Sequence, residues 1–154
     1  MMRLFMLLLL ALSLFVSAAC SSMDVIGRPY TVADAVVEVG ERTGAYDFAG
    51  ARFTLYNDSP KDISSFTVSF LVYDGDGLNP FVGTNCVVKD FDTPIPANAW
   101  ADFSVSLDSL LPGAPQDTFI LDFFYVKKIS YTDGTSWADP FGMHATGEGR
   151  SDDD

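Results

Sequence analysis

The chain has 154 residues and a formal charge of −12, with 9 Lys and Arg against 21 Asp and Glu. An excess this acidic excludes nucleic acid as a partner and an electrostatic hold on anionic lipid, since both need clusters of Lys and Arg. An apolar fraction of 48% excludes a chain disordered throughout, and the acids split as 18 Asp to 3 Glu. Asp competes with the helical backbone and favours turns. With 13 Phe and 6 Tyr, the composition leans all-β.

Residues 1–19 have the layout of a signal peptide. Arg3 supplies the positive start, and Leu4 to Val16 is a 13-residue apolar run. That is too short for the roughly 18 or more residues that span a bilayer. Ser17-Ala18-Ala19 then leads directly into Cys20. This junction resembles the lipobox of bacterial lipoproteins, with Ala18 and Ala19 matching and Ser17 standing where Leu is usual. The resemblance implies lipid on Cys20, hence an exported protein held at a cell-envelope membrane, the outer one if the host is diderm. Ser21 after the cysteine suits that sorting. The plainer alternative is a secreted protein whose Cys20 pairs with Cys86. With Cys20 lipidated, Cys86 is left without a partner. In the apolar stretch Thr84 to Val88 it is expected to be a small buried hydrophobe.

Residues 20–30 make a polar tether. Thr31 to Val39 fits a helix by Val32, Ala35, Val36 and Val39, and a strand by its valines and the Gly40 stop; a strand is the reading adopted. In Ala51 to Asn57, Phe53 and Leu55 share one face and Arg52, Thr54 and Tyr56 the other. Asn57 to Asp62 is a turn cluster. Ile63 to Tyr73 alternates most clearly, with Phe66, Val68, Phe70 and Val72 on one side. Asp74-Gly75-Asp76-Gly77 ends it. A short strand over Asn85 to Phe91 and a proline-bearing connector over Thr93 to Asn98 follow. Trp100 to Leu107 turns Ala101, Phe103, Val105 and Leu107 to one side. After a loop over Leu110 to Gln116, Thr118 to Tyr131 is the longest apolar strand, returned by the hairpin signal Asp133-Gly134 to Thr135–Trp137. Residues 142–154 have little to bury and read as a disordered acidic tail.

Strands with turns at this spacing describe an antiparallel β-sandwich of about seven or eight strands over residues 31–141. The F-x-L-Y spacing of Phe53, Leu55 and Tyr56, with Tyr73-Asp74-Gly75 closing the next strand and Pro96 before the strand at Trp100, resembles the FxLYD domains of bacterial lipoproteins. The likeness spans residues 50–107 and implies an immunoglobulin-like sandwich. Asn57 stands where that family's motif has Asp.

Catalytic chemistry is poorly supplied, so the protein is expected not to be an enzyme and to need no cofactor. The one histidine, His144, lies in the weak tail, where no base is held for Ser-His-Asp or Cys-His work. One His and one free Cys make no zinc site. Asp74-Gly75-Asp76 superficially resembles the opening of a calcium loop, but Gly falls at the wrong positions. A solvated turn is the reading there, with Asp74 and Asp76, or Asp58, Asp76 and Asp92 across loops, as the calcium alternative. Along Phe119 to Val126, strict alternation turns Phe123 and Tyr125 inward with Phe53, Phe66 and Phe70. It leaves Phe124 on an outer face, covered by chain or facing a partner. Tyr73, Trp100, Phe124 and Trp137 are the candidates for a ligand or partner surface. The expected function is a non-catalytic, lipid-anchored binding or structural module with an envelope protein or glycan as partner. The alternative is a calcium- or carbohydrate-binding module. A solvent-facing Trp100 or Tyr73 beside acids would favour sugar.

Overall fold

The structure, a computed structural model, describes residues 27–146. The predicted signal peptide, Cys20, most of the tether and the acidic end from Gly147 lie outside the described residues.

Seven strands follow in chain order: β1 (Tyr30–Val39), β2 (Ala49–Asn57), β3 (Ile63–Asp74), β4 (Cys86–Phe91), β5 (Trp100–Ser106), β6 (Phe119–Tyr131) and β7 (Ser136–Ala138). One 3-10 turn, Asp108–Leu110, interrupts them. They form two antiparallel sheets, ordered β1-β2-β5 and β4-β3-β6-β7. The fold is an immunoglobulin-like sandwich. Each sheet turns its alternate apolar residues to a shared interior. Phe53 packs against Phe103 and Phe124 from the two sides of the gap, with ring centroids 5.4 and 4.9 Å away. Phe66 stacks on Phe91 at 4.9 Å.

Thr31 to Val39 is a strand, as read, but a bulged one. Its register against β2 slips between Ala33 and Val36, and Asp34 takes φ 54°. A bulge twists an exposed edge away from further pairing.

Strand β6 departs from the expected alternation. Ser69 faces Tyr125 and Leu71 faces Asp122, so Phe123 and Phe124 together oppose Phe70. This is a β-bulge. Phe123 absorbs it at φ 50° and is 43% exposed, whereas Phe124 swings inward to 1% and stacks on Phe70 at 5.7 Å. The expectation of an inward Phe123 and an outward Phe124 is therefore reversed by one inserted residue. Tyr125 is buried, though on the outer side, where it and Phe123 pack around Gly142. A second register shift, between Thr67 and Val68, leaves Lys127 extra, so Val126 and Ile129 both face the core.

Cys86 is also corrected. It is exposed, because β4 is an edge strand on which Val87 takes the inward position. Residues 142–146 belong to the fold. Phe124 and Thr146 exchange backbone hydrogen bonds of 2.7 and 2.8 Å, and the Asp139 carboxylate accepts the His144 N–H at 2.9 Å. What remains of the expected acidic tail lies outside the described residues.

Both sheets run between the same two ends. At one, Tyr30 faces Asn57, Tyr56 faces Trp100 and Ile63 faces Tyr131. The chain from the tether enters here. Asn57 organises this end: its buried Nδ2 donates to the carbonyls of Lys61, Ile95 and Pro96 at 2.8, 3.1 and 3.1 Å. Its Oδ1 accepts from the N–H and hydroxyl of Ser59 at 3.1 and 2.7 Å. Three carbonyls require a donor, and an aspartate has none to give at neutral pH. The long β1–β2, β3–β4 and β5–β6 loops gather at the opposite end. There Asp108 accepts the N–H groups of Asp47, Phe48 and Ala49 at 2.7, 2.9 and 3.0 Å. Those bonds, Asp47's first, hold its carboxyl down at about 2.

Candidate functional site

The four aromatic candidates do not converge. Phe124 is core, which removes it from any surface. Trp137 is buried with its ring edge-on to Tyr30 at 5.6 Å. It lines a cleft of about 430 Å³ beside Arg28, Lys61 and Tyr131 at the tether end. Tyr73 is half-buried near the loop end of β3, where it faces Ile120 across the ladder. Trp100 alone of the four is largely exposed, at 55%. Cys20 lies outside the described residues.

Asp74 to Gly77 forms a tight turn. Asp74 Oδ1 accepts the N–H groups of Asp76 and Leu78 at 3.0 and 2.8 Å, and Gly77 takes φ 78°. A left-handed position of this kind suits Gly because it has no Cβ to clash. Among the described residues no group of three His, Cys, Asp or Glu is placed to hold a metal ion. His144 lies beyond β7 with its ring 6.0 Å from Trp137, while Cys86 sits on β4, at the far edge of the same sheet. The two cannot form a nucleophile and base, which must lie within hydrogen-bond reach.

The outer face of the three-stranded sheet carries an arrangement that single strands do not disclose. Residues opposite one another in an antiparallel ladder share a face, so β1, β2 and β5 build outward rows. The first row is Thr31, Tyr56 and Trp100; the next is Ala33, Thr54 and Asp102; the third is Val36, Arg52 and Ser104. Tyr56 and Trp100 lie with ring centroids 4.7 Å apart and planes tilted by 40°. Thr54 Oγ1 donates to Asp102 Oδ1 at 2.7 Å. Arg52 pairs with Glu38, which also accepts from the Tyr46 hydroxyl. Burial, then that bond to Glu38, pushes the Tyr46 phenol up to about 12. Tyr46 folds over the loop end of the face because Gly50 leaves room for it: a Cβ there would collide with its ring. Asp34, Arg52, Thr54, Asp102 and Ser104 line a shallow concavity of about 560 Å³. Tyr56 is the member of this face not expected from the sequence. Its outward phase was readable, but its position beside Trp100 needs the β2–β5 register.

No family model matches the chain, and no curated protein does. Among solved structures it is similar to a hypothetical protein of Peptoclostridium difficile 630. The TM-score is 0.53 at 11% identity, over 75% of this chain and 88% of that one. The likeness is one of fold.

Proposed function

We propose that the protein is a lipid-anchored, non-catalytic module of the bacterial cell envelope, with a sandwich akin to the FxLYD domains. The observation that carries this reading is the junction Ser17-Ala18-Ala19-Cys20 after a short apolar run. The fold is compatible with it: the chain enters at the end opposite the three long loops, so an anchored domain would hold those loops away from the membrane.

Metabolic labelling with a radioactive fatty acid tests the anchor. Wild-type protein should take the label and partition into detergent, and Cys20→Ala should do neither. An unlabelled wild type would refute the anchor. A second reading, a carbohydrate-binding module, is favoured by one observation: Trp100 faces solvent with the carboxylate of Asp102 in the adjacent row.

A further inference from the structure

We infer that the outer face of the β1-β2-β5 sheet is a binding site for an uncharged oligosaccharide, with Tyr56 and Trp100 as its stacking platform and Asp102, Thr54, Arg52 and Ser104 as its hydroxyl-binding row. The inference rests on the carbohydrate reading and gives it a place and a ligand charge.

The platform comes first. The outer face of a sandwich sheet is ordinarily polar. Here β5 opens on an indole that is 55% exposed, with a phenol leaning against it. The faces of these rings are electron-rich and attract C–H groups that carry slight positive charge. The apolar face of a sugar ring presents such C–H groups. Both rings also carry a polar tip, the indole N–H and the phenol O–H, for groups at the margin of the sugar.

The polar row comes second. Outward residues along one strand are spaced by about 7 Å, comparable with one pyranose unit. The three rows from Trp100 to Ser104 therefore match two or three linked sugars lying along the strands. Hydroxyl groups both donate and accept, and this row offers both functions. Asp102 accepts, its position fixed by the hydroxyl of Thr54. Arg52 donates, held by Glu38. A few fixed polar groups beside an apolar surface are the general composition of small-ligand sites.

Charge selects among occupants. Arg52 is already paired with Glu38, and Asp34 and Asp102 add negative charge to the face. The chain as a whole stands at −12. Phosphate-bearing rings such as nucleotides would stack but be repelled. Val36 is the one exposed aliphatic side chain among these rows, so a lipid or an apolar protein surface finds little to cover. An uncharged ring with many hydroxyls meets neither obstacle.

The test uses the full chain, purified in a detergent without a sugar headgroup. Cellohexaose, maltohexaose and hexa-N-acetylchitohexaose are added in turn while acrylamide quenching of tryptophan emission is followed. The chain has two tryptophans and Trp137 is buried, so quenching reports chiefly on Trp100. At least one of the three sugars should protect the emission saturably at millimolar concentration, with no dependence on salt. By calorimetry, Trp100→Ala should weaken that binding about tenfold or more. Asp102→Asn should weaken it several-fold, and Trp100→Phe should keep most of it. The melting temperatures of Asp102→Asn and Trp100→Phe should stay within a few degrees of wild type. If calorimetry finds no binding of any of the three sugars, the site and the carbohydrate reading fall together; if one binds without protecting Trp100, the reading stands and this site falls. If wild type binds but Trp100→Ala binds equally well, or only its melting temperature drops, the reading stands and this site falls. A signal removed by salt would mean a charged ligand and overturn the inference. Fatty-acid labelling of Cys20 is independent of every outcome.

Discussion

The β2–β5 ladder and the β3–β6 ladder cross the same sandwich under different rules. From Gly50 facing Ser106 to Tyr56 facing Trp100, the first runs without a break. Alternation there assigns every face correctly, and Phe53, Phe103 and Val105 point inward as their spacing says. The second ladder shifts register three times. Each shift adds a residue to one strand, and beyond it the inward phase moves by one. Periodicity is a reliable guide only as far as the next bulge.

The sharpest way to break this comparison is at Phe124. If the bulge places it in the core, Phe124→Ala should cost about 3–5 kcal/mol in chemical denaturation. Phe123→Ala, one residue away, should cost far less, since its ring is partly in solvent. A larger loss at Phe123 than at Phe124 would mean that the strand alternates after all.

On the regular side, Asn57 closes β2. Asn57→Asp should cost about 2–4 kcal/mol, because carbonyls now satisfied by one amide would be left facing a carboxylate. A variant as stable as wild type would show that the amide is not what holds this end. Gly50 offers a smaller effect in the same strand. Gly50→Ala should cost about 1–3 kcal/mol as the Tyr46 ring is displaced. The same change should shift Tyr46 titration back toward the ordinary phenol range, which ultraviolet difference spectroscopy can follow.

Removing Phe123 altogether sharpens the comparison further. Without it, Phe119, Leu121, Phe124 and Val126 would alternate evenly, and Phe124 would face Phe70 one to one. The shortened chain should melt within a few degrees of wild type, whereas deleting a residue from β5 should unfold the domain. The smallest effect is local and set by pH. Asp108 titrates at about 2 in the fold, below its ordinary 3.8. Its contribution is therefore present above about pH 4 and is lost as pH falls toward 2. Amide exchange at Asp47, Phe48 and Ala49, normalised for intrinsic rates, should quicken over that interval. In Asp108→Asn it should already be fast at neutral pH.

Much of the fold was legible because its signals are local. Phe66 to Val72 alternate, Asp133-Gly134 turns, and valines with a Gly40 stop make β1 a strand. The bulge at Phe123 was not legible, since an inserted residue in an apolar run leaves no mark on composition. The orientation of Cys86 was hidden because the residues around it do not alternate. The candidate site was half legible. Trp100 was singled out, but the nearness of Tyr56, 44 positions earlier in the chain, exists only once two strands have found their register. Asn57 in place of the motif aspartate was visible as a difference, and its three carbonyl partners were not.

Tyr30 has a consequence in mechanics. Its buried hydroxyl accepts the N–H of Val126 at 3.1 Å, tying the first residue of β1 to the opposite sheet. A pull on the chain before Tyr30, against a load held at the far loops, runs along the axis of β1. The hydrogen bonds between β1 and β2 are then loaded together in shear instead of opening one after another. The tyrosine acts as a rivet through both layers at the point where force enters. Tyr30→Phe keeps the ring and removes the rivet, so under tension β1 should slide free at lower force.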